Sequence, residues 1–101
     1  MPSLTFTPTA INDLERIRDF LKDKNPTAAR HALQKLLASL KHLEGNPEMG
    51  RQSEDRPDEY RELIIPFGRD GYIAAYRNEG ESLLVLGVWH QREDYERPEI
   101  D

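Results

Sequence analysis

The chain contains no cysteine among its 101 residues. This absence excludes a disulfide framework, a thiolate nucleophile and zinc sites that depend on thiolate ligands. Long apolar runs are also missing, because the longest, Leu83 to Trp89, contains Gly87. The first residues lack the basic and apolar regions of a signal peptide. We therefore predict a single cytoplasmic domain over residues 1–101, with no membrane partner.

An excess of positive charge is absent as well. The formal net charge is −5, and residues 51–101 hold seven basic against thirteen acidic side chains, a balance of −6 (7 − 13). All seven of those basic residues are arginines. A protein without a positive field does not gather nucleic acid from a distance. We therefore expect no tight direct binding to DNA or RNA.

The first third of the chain predicts a strand and a helix. Residues 3–7 alternate apolar and hydroxyl side chains, which is typical of a short half-buried strand. Thr7 followed by Pro8 has the pattern of a helix N-cap and first helical position. Apolar residues then recur every three to four positions as far as Leu21, which indicates one buried stripe. The side chains predicted to face water on this helix are Asp13, Arg16 and Asp19.

A second cap signal follows at Asn25-Pro26. It predicts a helix from Pro26 to Leu43, with Gly45 as its C-terminal stop. Because few residues separate the two helices, they are expected to form an antiparallel hairpin. The polar segment 46–59 is predicted to be an irregular connection.

The second half of the chain has the pattern of strands. Apolar-rich segments at 60–67, 72–77 and 82–90 are separated by glycine-containing turns at 68–71 and 78–81. Such short turns join antiparallel strands. The predicted fold class is therefore α+β, in the order β-α-α-β-β-β, with a helical hairpin packed on one antiparallel sheet. The charged segment 93–101 is predicted to fray.

The last predicted strand is apolar at both alternating positions, although a sheet with one face in water alternates. Two kinds of cover for the second face are consistent with this pattern: the chain itself, through the charged tail or long arginine stems, or a docked partner. The candidate partner-binding residues on this strand are Leu84, Leu86, Val88 and Trp89.

Several short motifs, in order along nearly the whole chain, carry a family resemblance. They are Thr7-Pro8, Asp13-Leu14 with Ile17, Asn25-Pro26-Thr27-Ala28-Ala29, Leu40 to Leu43 with Asn46-Pro47-Glu48-Met49-Gly50-Arg51, Tyr60-Arg61-Glu62-Leu63, Tyr72-Ile73 with Tyr76-Arg77, and Val88-Trp89-His90-Gln91-Arg92-Glu93-Asp94. This series resembles the RelE/ParE superfamily of toxins from bacterial type II toxin–antitoxin systems, the plasmid-stabilising kind included. The resemblance implies the same β-α-α-β-β-β fold. It also implies a cytoplasmic toxin neutralised by a cognate antitoxin, whose C-terminal region wraps the toxin.

The superfamily contains two activities, and one of them is nucleolytic. RelE-like members cut messenger RNA on the ribosome, which requires proton donors and acceptors with cations beside the scissile phosphate. Under this alternative the catalytic candidates are Arg61 and Arg92 as phosphate ligands, with His90 and Tyr95 for proton transfer or base stacking. Each also has a structural interpretation, in a surface ion pair or at the edge of the core.

The ParE-like branch, which inhibits DNA gyrase and is not known to cleave RNA, is favoured by three features. The chain is acidic, whereas a ribosome-entering nuclease is expected to be basic. Four carboxylates lie beside Arg61 in the segment 54–59, and Gln91 stands where arginine is common in the nuclease branch. We therefore expect a gyrase inhibitor that acts by binding and is not an enzyme. An inactive relative that only binds antitoxin remains a further alternative.

No cofactor or metal is predicted. The sequence has no phosphate-binding glycine loop, no nucleophile elbow and no cluster with metal-ligand spacing. His31 and His42 share a helix but lie roughly 16 Å apart along its axis at 1.5 Å per residue, too far to hold one ion.

Overall fold

The computed structural model describes residues 2–98 and confirms the α+β prediction. Two helices pack on one five-stranded sheet of order β1-β5-β4-β3-β2. The elements are β1 Ser3–Phe6, α1 Pro8–Lys24, α2 Pro26–His42, β2 Arg51–Gln52, β3 Tyr60–Phe67, β4 Asp70–Asn78 and β5 Ser82–His90. Neither helix in this part of the chain is long and apolar enough to cross a membrane.

The predicted helix caps are formed as expected. The Thr7 hydroxyl accepts the backbone N–H of Ala10 at 3.1 Å and so begins α1. Asn25 ends α1 and also caps α2, because its side-chain oxygen accepts the backbone N–H groups of Thr27 and Ala28. Because this single residue is the whole connection between the two helices, they lie next to each other as a hairpin.

The sheet differs from the prediction in two respects. β1 runs parallel to β5, with Ser3 opposite Ser82 and Phe6 opposite Val85, so only the remaining strands are antiparallel. The segment predicted to be irregular contains β2, which pairs with β3 at Arg61 and Glu62. A pairing between the two ends of the chain is non-local, and a two-residue strand carries no periodic signal.

A bulge in β5 accounts for its apolar residues at both alternating positions. Tyr76 lies opposite Val85, but Ala75 lies opposite Gly87, so Leu86 is an extra residue in β5. An extra residue exchanges the two faces of a strand beyond it. The helix-facing core contains Leu83, Val85 and Val88, whereas Leu84, Leu86 and Trp89 belong to a second cluster.

Residues 93–98, called the strap below, cover that second cluster as far as Pro98. The Tyr95 ring stacks on Trp89, and Arg97 pairs with Glu62. Within the segment predicted to fray, residues 93–98 therefore contact an aromatic platform and a buried carboxylate of the sheet. The second face of β5 is thus covered by the charged tail, which was one of the two predicted covers. Residues 99–101 of the predicted frayed segment lie outside the described residues.

Candidate functional site

An open cleft of about 570 Å³ lies between α1 and the end of the sheet. Its floor is apolar and aromatic, and its rim carries charged side chains. The lining residues are Arg16, Ile17, Phe20, Leu21, Phe67, Tyr72, His90, Arg92 and Glu93. Phe20 is 62% exposed, an unusual exposure for a large apolar side chain. Concave apolar surfaces with a few polar groups are where small ligands and partner side chains bind.

His90 is one of the polar residues that line the cleft. Its ring meets the Tyr72 ring edge-on, with centroids 5.3 Å apart. Its Nδ1 accepts the backbone N–H of Arg92 at 3.1 Å. A ring nitrogen that accepts a hydrogen bond carries no proton, so the neutral ring is protonated at Nε2. His90 therefore presents a donor rather than a free base.

The charged rim is made of ion pairs. Arg16 donates to Glu93 at 2.6 Å, and Arg92 contacts Asp70 at 3.2 Å. The Arg92 side chain is 70% exposed, so its ion pair is worth about 0–1 kcal/mol. Arg92 is thus available to exchange its partner for one on a bound molecule, whereas Arg16 also contacts Asp13 and the Val88 carbonyl.

Arg61 lies far from this cleft. It is opposite Tyr76 in the β3–β4 ladder, whereas His90 is opposite Tyr72 in the β4–β5 ladder. Four residues along a strand correspond to about 13 Å, without counting the distance across the strands. The Arg61 guanidinium instead donates to the carbonyl oxygens of Glu48 and Gly50, at 3.1 and 2.6 Å. Arg61 therefore clamps the connection between α2 and β2.

Tyr76 completes this clamp from the core. Its buried hydroxyl accepts the backbone N–H of Gly50 at 2.9 Å and donates to the Pro47 carbonyl at 2.8 Å. A Cβ atom at position 50 would lie 2.6 Å from the Tyr76 ring. Glycine is required there because the ring and the backbone touch.

Tyr95 lies on the opposite face of the sheet from His90. It stacks on Trp89 with centroids 4.6 Å apart, and neighbouring residues of a strand point to opposite faces. Its hydroxyl donates to the Asp13 carboxylate at 2.5 Å. Burial raises the pKa of Tyr95 above its ordinary value, and the hydrogen bond to Asp13 raises it further. The hydroxyl is thus held protonated, as a structural donor.

The four residues named for partner binding do not share one face. Val88 is fully buried against the helices, whereas Trp89 and Leu86 lie beneath the strap and Leu84 packs beside them, partly buried. The four residues named for catalysis are likewise dispersed, and only His90 and Arg92 share the cleft.

Two buried carboxylates were not found from the sequence. Asp13, predicted to face water, is only 7% exposed, as is Glu62. A signal existed for Asp13, because Ala10, Asp13 and Ile17 form one buried stripe at helical spacing. For Glu62 the sequence offers no such signal. Within residues 2–98, no three acidic or histidine side chains are grouped as metal ligands.

Comparison with known proteins places the chain in a family. The profile of the family described as "ParE toxin of type II toxin-antitoxin system, parDE" matches residues 4–95. The chain belongs to the ParE toxin family. It is the toxin of a type II toxin–antitoxin system, and such a toxin has a cognate antitoxin.

Relatives of this toxin bear both names of the superfamily. Toxin RelE3 of Caulobacter vibrioides is 29% identical over 93 residues, covering 92% of this chain and 98% of its own. Toxin RelE1 of the same organism is 35% identical over 81 residues, covering 80% of this chain and 84% of its own. A solved structure titled "Chromosomal ParDE TA system from P. aeruginosa" superposes with a TM-score of 0.73 at 29% identity, covering 89% and 96% of the two chains.

Proposed function

We propose that this ParE-family toxin acts in the cytoplasm by binding and inhibiting DNA gyrase, without cleaving RNA. The observation that carries this proposal is the dispersal of the candidate nuclease residues. A nuclease needs a proton donor and acceptor on either side of one phosphate. Here Arg61 is engaged with backbone carbonyls, and Tyr95 lies on the opposite face of the sheet from His90.

The charge of the surface supports the same proposal. Arg16 and Arg92, the arginines of the cleft, are each within reach of a carboxylate, Glu93 and Asp70 respectively. A phosphate entering this cleft would meet those carboxylates as well as the arginines, which weakens its binding. The net charge of −5 adds a general repulsion of nucleic acid.

We further propose that the cleft anchors the C-terminal region of the antitoxin. Phe20 and the aromatic floor offer an apolar surface to the buried face of an amphipathic segment. His90 Nε2 offers one donor, and the exposed rim residue Arg92 offers an exchangeable charge. Such a cleft fits an apolar or aromatic anchor flanked by an acidic side chain.

A RelE-like ribonuclease is the second candidate, and the names of the two relatives favour it. Conservative variants separate the two activities in growing cells. Under the nuclease alternative, Tyr95→Phe and His90→Gln each remove a proton-transfer group and abolish growth arrest. Under our proposal, both variants still arrest growth, because neither proton transfer nor phosphate binding is involved.

Tyr72→Phe is the matched control, since it changes a cleft tyrosine outside the nuclease candidates. Thermal unfolding of each purified variant identifies any loss of toxicity that comes from misfolding. If the unmodified toxin causes no arrest without its antitoxin, the chain is an inactive relative and the proposal is wrong.

A further inference from the structure

The cleft holds three groups that donate hydrogen bonds to anions. Arg16 and Arg92 line it, as does His90, whose Nε2 is a donor because its Nδ1 accepts the backbone N–H of Arg92. Guanidinium groups with a neighbouring N–H are what proteins commonly use to bind phosphate. These residue types would therefore make the cleft a phosphate site if they acted alone.

Glu93 places a carboxylate at the Arg16 end. Its Oε2 accepts the Arg16 guanidinium at 2.6 Å, and its Oε1 accepts the backbone N–H of His90 at 3.1 Å. The Glu93 side chain is 28% exposed. Because both oxygens are hydrogen-bonded, the charge is fixed in the cleft and does not swing into solvent. A phosphate at Arg16 would lie beside this fixed charge and be repelled by it.

Asp70 places a second carboxylate at the Arg92 end. Its Oδ1 lies 3.2 Å from Arg92 Nε, and it pairs in the β3–β4 ladder with Phe67, which lines the cleft. Arg92 is the more exposed of the two partners, at 70% against 25%, so it can turn from Asp70 to a bound acidic side chain. The proposed antitoxin anchor needs only this one arginine. Consecutive phosphates of RNA would have to meet Glu93 as well.

Neighbouring side chains keep the cleft electrically balanced. The Lys24 ammonium lies 5.1 Å from the Phe20 ring centroid, and Asp13 pairs with Arg16 at 3.2 Å. Together with the rim pairs, these give three cations and three carboxylates: Arg16, Lys24 and Arg92 against Asp13, Asp70 and Glu93. Equal numbers leave these six side chains with no net charge, so they do not attract a polyanion. The apolar floor is unaffected by this balance.

We propose that Glu93 is the specificity-determining residue of the cleft: its fixed carboxylate excludes the phosphates of RNA and reserves the site for a protein segment. Asp70 supports this exclusion from the other end of the cleft. Neutralising the two carboxylates should uncover a phosphate site whose arginines the chain itself now occupies. The inference rests on the proposed function, in which the toxin acts on protein rather than on RNA.

The test compares RNA binding by the full-length unmodified toxin and by its double variant Glu93→Gln, Asp70→Asn. Each substitution keeps an oxygen acceptor and the shape of the side chain while it removes one negative charge. The probe is a short fluorescein-labelled oligouridylate, followed by fluorescence anisotropy at low salt. We expect the double variant to bind at least about tenfold more tightly than the unmodified toxin, because like charges no longer oppose the phosphates. Added salt should weaken this binding.

The double substitution Glu79→Gln, Glu81→Gln is the matched control. It removes the same charge from exposed residues between β4 and β5, at the end of β5 opposite to His90. Its RNA binding should stay close to that of the unmodified toxin. Arg92→Ala added to the Glu93→Gln, Asp70→Asn variant should abolish the gain, because it removes a phosphate ligand from the cleft.

An equal gain in the control would make net charge the cause and would overturn the proposal. Equal binding by the unmodified toxin and the double variant would overturn it as well. The single variants Glu93→Gln and Asp70→Asn are measured beside them, and they serve alone if thermal unfolding shows that the double variant does not fold. We expect the larger gain from Glu93→Gln, and a larger gain from Asp70→Asn would contradict the role of Glu93.

Gyrase inhibition by the unmodified toxin is measured in parallel. Its absence would contradict the proposed function, whereas the RNA results of the variants bear on the role of Glu93. The two failures are therefore distinguishable.

Discussion

The Asp13 carboxylate of α1 accepts the backbone N–H of Val88 at 3.0 Å, on the edge of β5 beyond Val85, where its pairing with β1 ends. Arg16, one helical turn on, donates to the Val88 carbonyl at 3.3 Å. The two side chains thus replace a neighbouring strand at this residue, and they fix α1 against the sheet. The cleft and the strap both depend on this arrangement, because Arg16 lines the first and Asp13 holds the second.

Replacing Asp13 by alanine should destabilise the domain strongly. The change leaves the Val88 N–H and the Tyr95 hydroxyl without their acceptor in a buried site, at a cost of about 2–4 kcal/mol. Urea unfolding followed by circular dichroism measures this loss. Asp19→Ala is the control on the same helix, where the exposed pair with Arg18 is worth about 0–1 kcal/mol. Equal effects of the two substitutions would show that Asp13 has no special role.

Arg61 and Arg92 should differ in how much each contributes to the stability of the domain, because they do not share a catalytic site. Arg61→Ala removes the clamp on Glu48 and Gly50 and should cost about 1–2 kcal/mol, with faster amide exchange in residues 47–50. Arg92→Ala removes one exposed ion pair and should change stability by less than about 0.5 kcal/mol. Hydrogen exchange of the two variants compares them directly. Unchanged protection of residues 47–50 in Arg61→Ala would contradict the assignment.

All four tyrosines should resist ionisation while the domain is folded. Burial raises the pKa of Tyr60, Tyr72, Tyr76 and Tyr95 above the ordinary value of 10.0. A raised pKa in the folded state favours the neutral form, so its stabilising effect is complete below pH 10 and is lost as the pH rises further. Tyrosinate absorbance should therefore appear together with unfolding, above pH 10. Reversible ionisation near pH 10 with an unchanged circular dichroism spectrum would contradict this.

Phe20 should matter for antitoxin binding and little for folding. Because the Phe20 side chain is 62% exposed, Phe20→Ala should leave the thermal unfolding temperature nearly unchanged. The substitution removes an interface anchor, so the affinity for the antitoxin should fall roughly tenfold or more. Calorimetric titration with the product of the neighbouring gene measures the affinity. Ile11→Ala, also on α1 and 48% exposed but outside the cleft lining, is the matched control. A larger effect from Ile11 would place the antitoxin elsewhere.

Local signals in the sequence were sufficient for most of the fold. Thr7 and Asn25 predict the starts of the two helices, because a capping residue bonds to its own sequence neighbours. Both capping hydrogen bonds are present. The parallel pairing of β1 with β5 joins residues about 80 positions apart, as Ser3 and Ser82 show, and no local pattern encodes it. The bulge at Leu86 explains why an alternation rule gave no single face for β5.

The candidate sites were less predictable because they depend on pairs of distant residues. Tyr95 lies in a charged segment whose composition favours fraying, and its order comes from Trp89 and Asp13. Arginine is a common phosphate ligand, so residue type alone does not separate a catalytic from a structural role for Arg61. Its structural role follows from its position beside the carbonyls of Glu48 and Gly50. His90 and Arg92 are two residues apart in the sequence, and both line the cleft.

The most direct measurement is a pair of assays on one preparation of toxin freed from its antitoxin: DNA supercoiling by purified gyrase, and cleavage of ribosome-bound messenger RNA. Our account predicts inhibition of supercoiling at toxin concentrations near that of the enzyme, with the RNA left intact. Cleavage of the RNA without inhibition of gyrase would contradict it. That outcome would make His90, Arg92 and their surroundings an active site despite the dispersal of Arg61 and Tyr95.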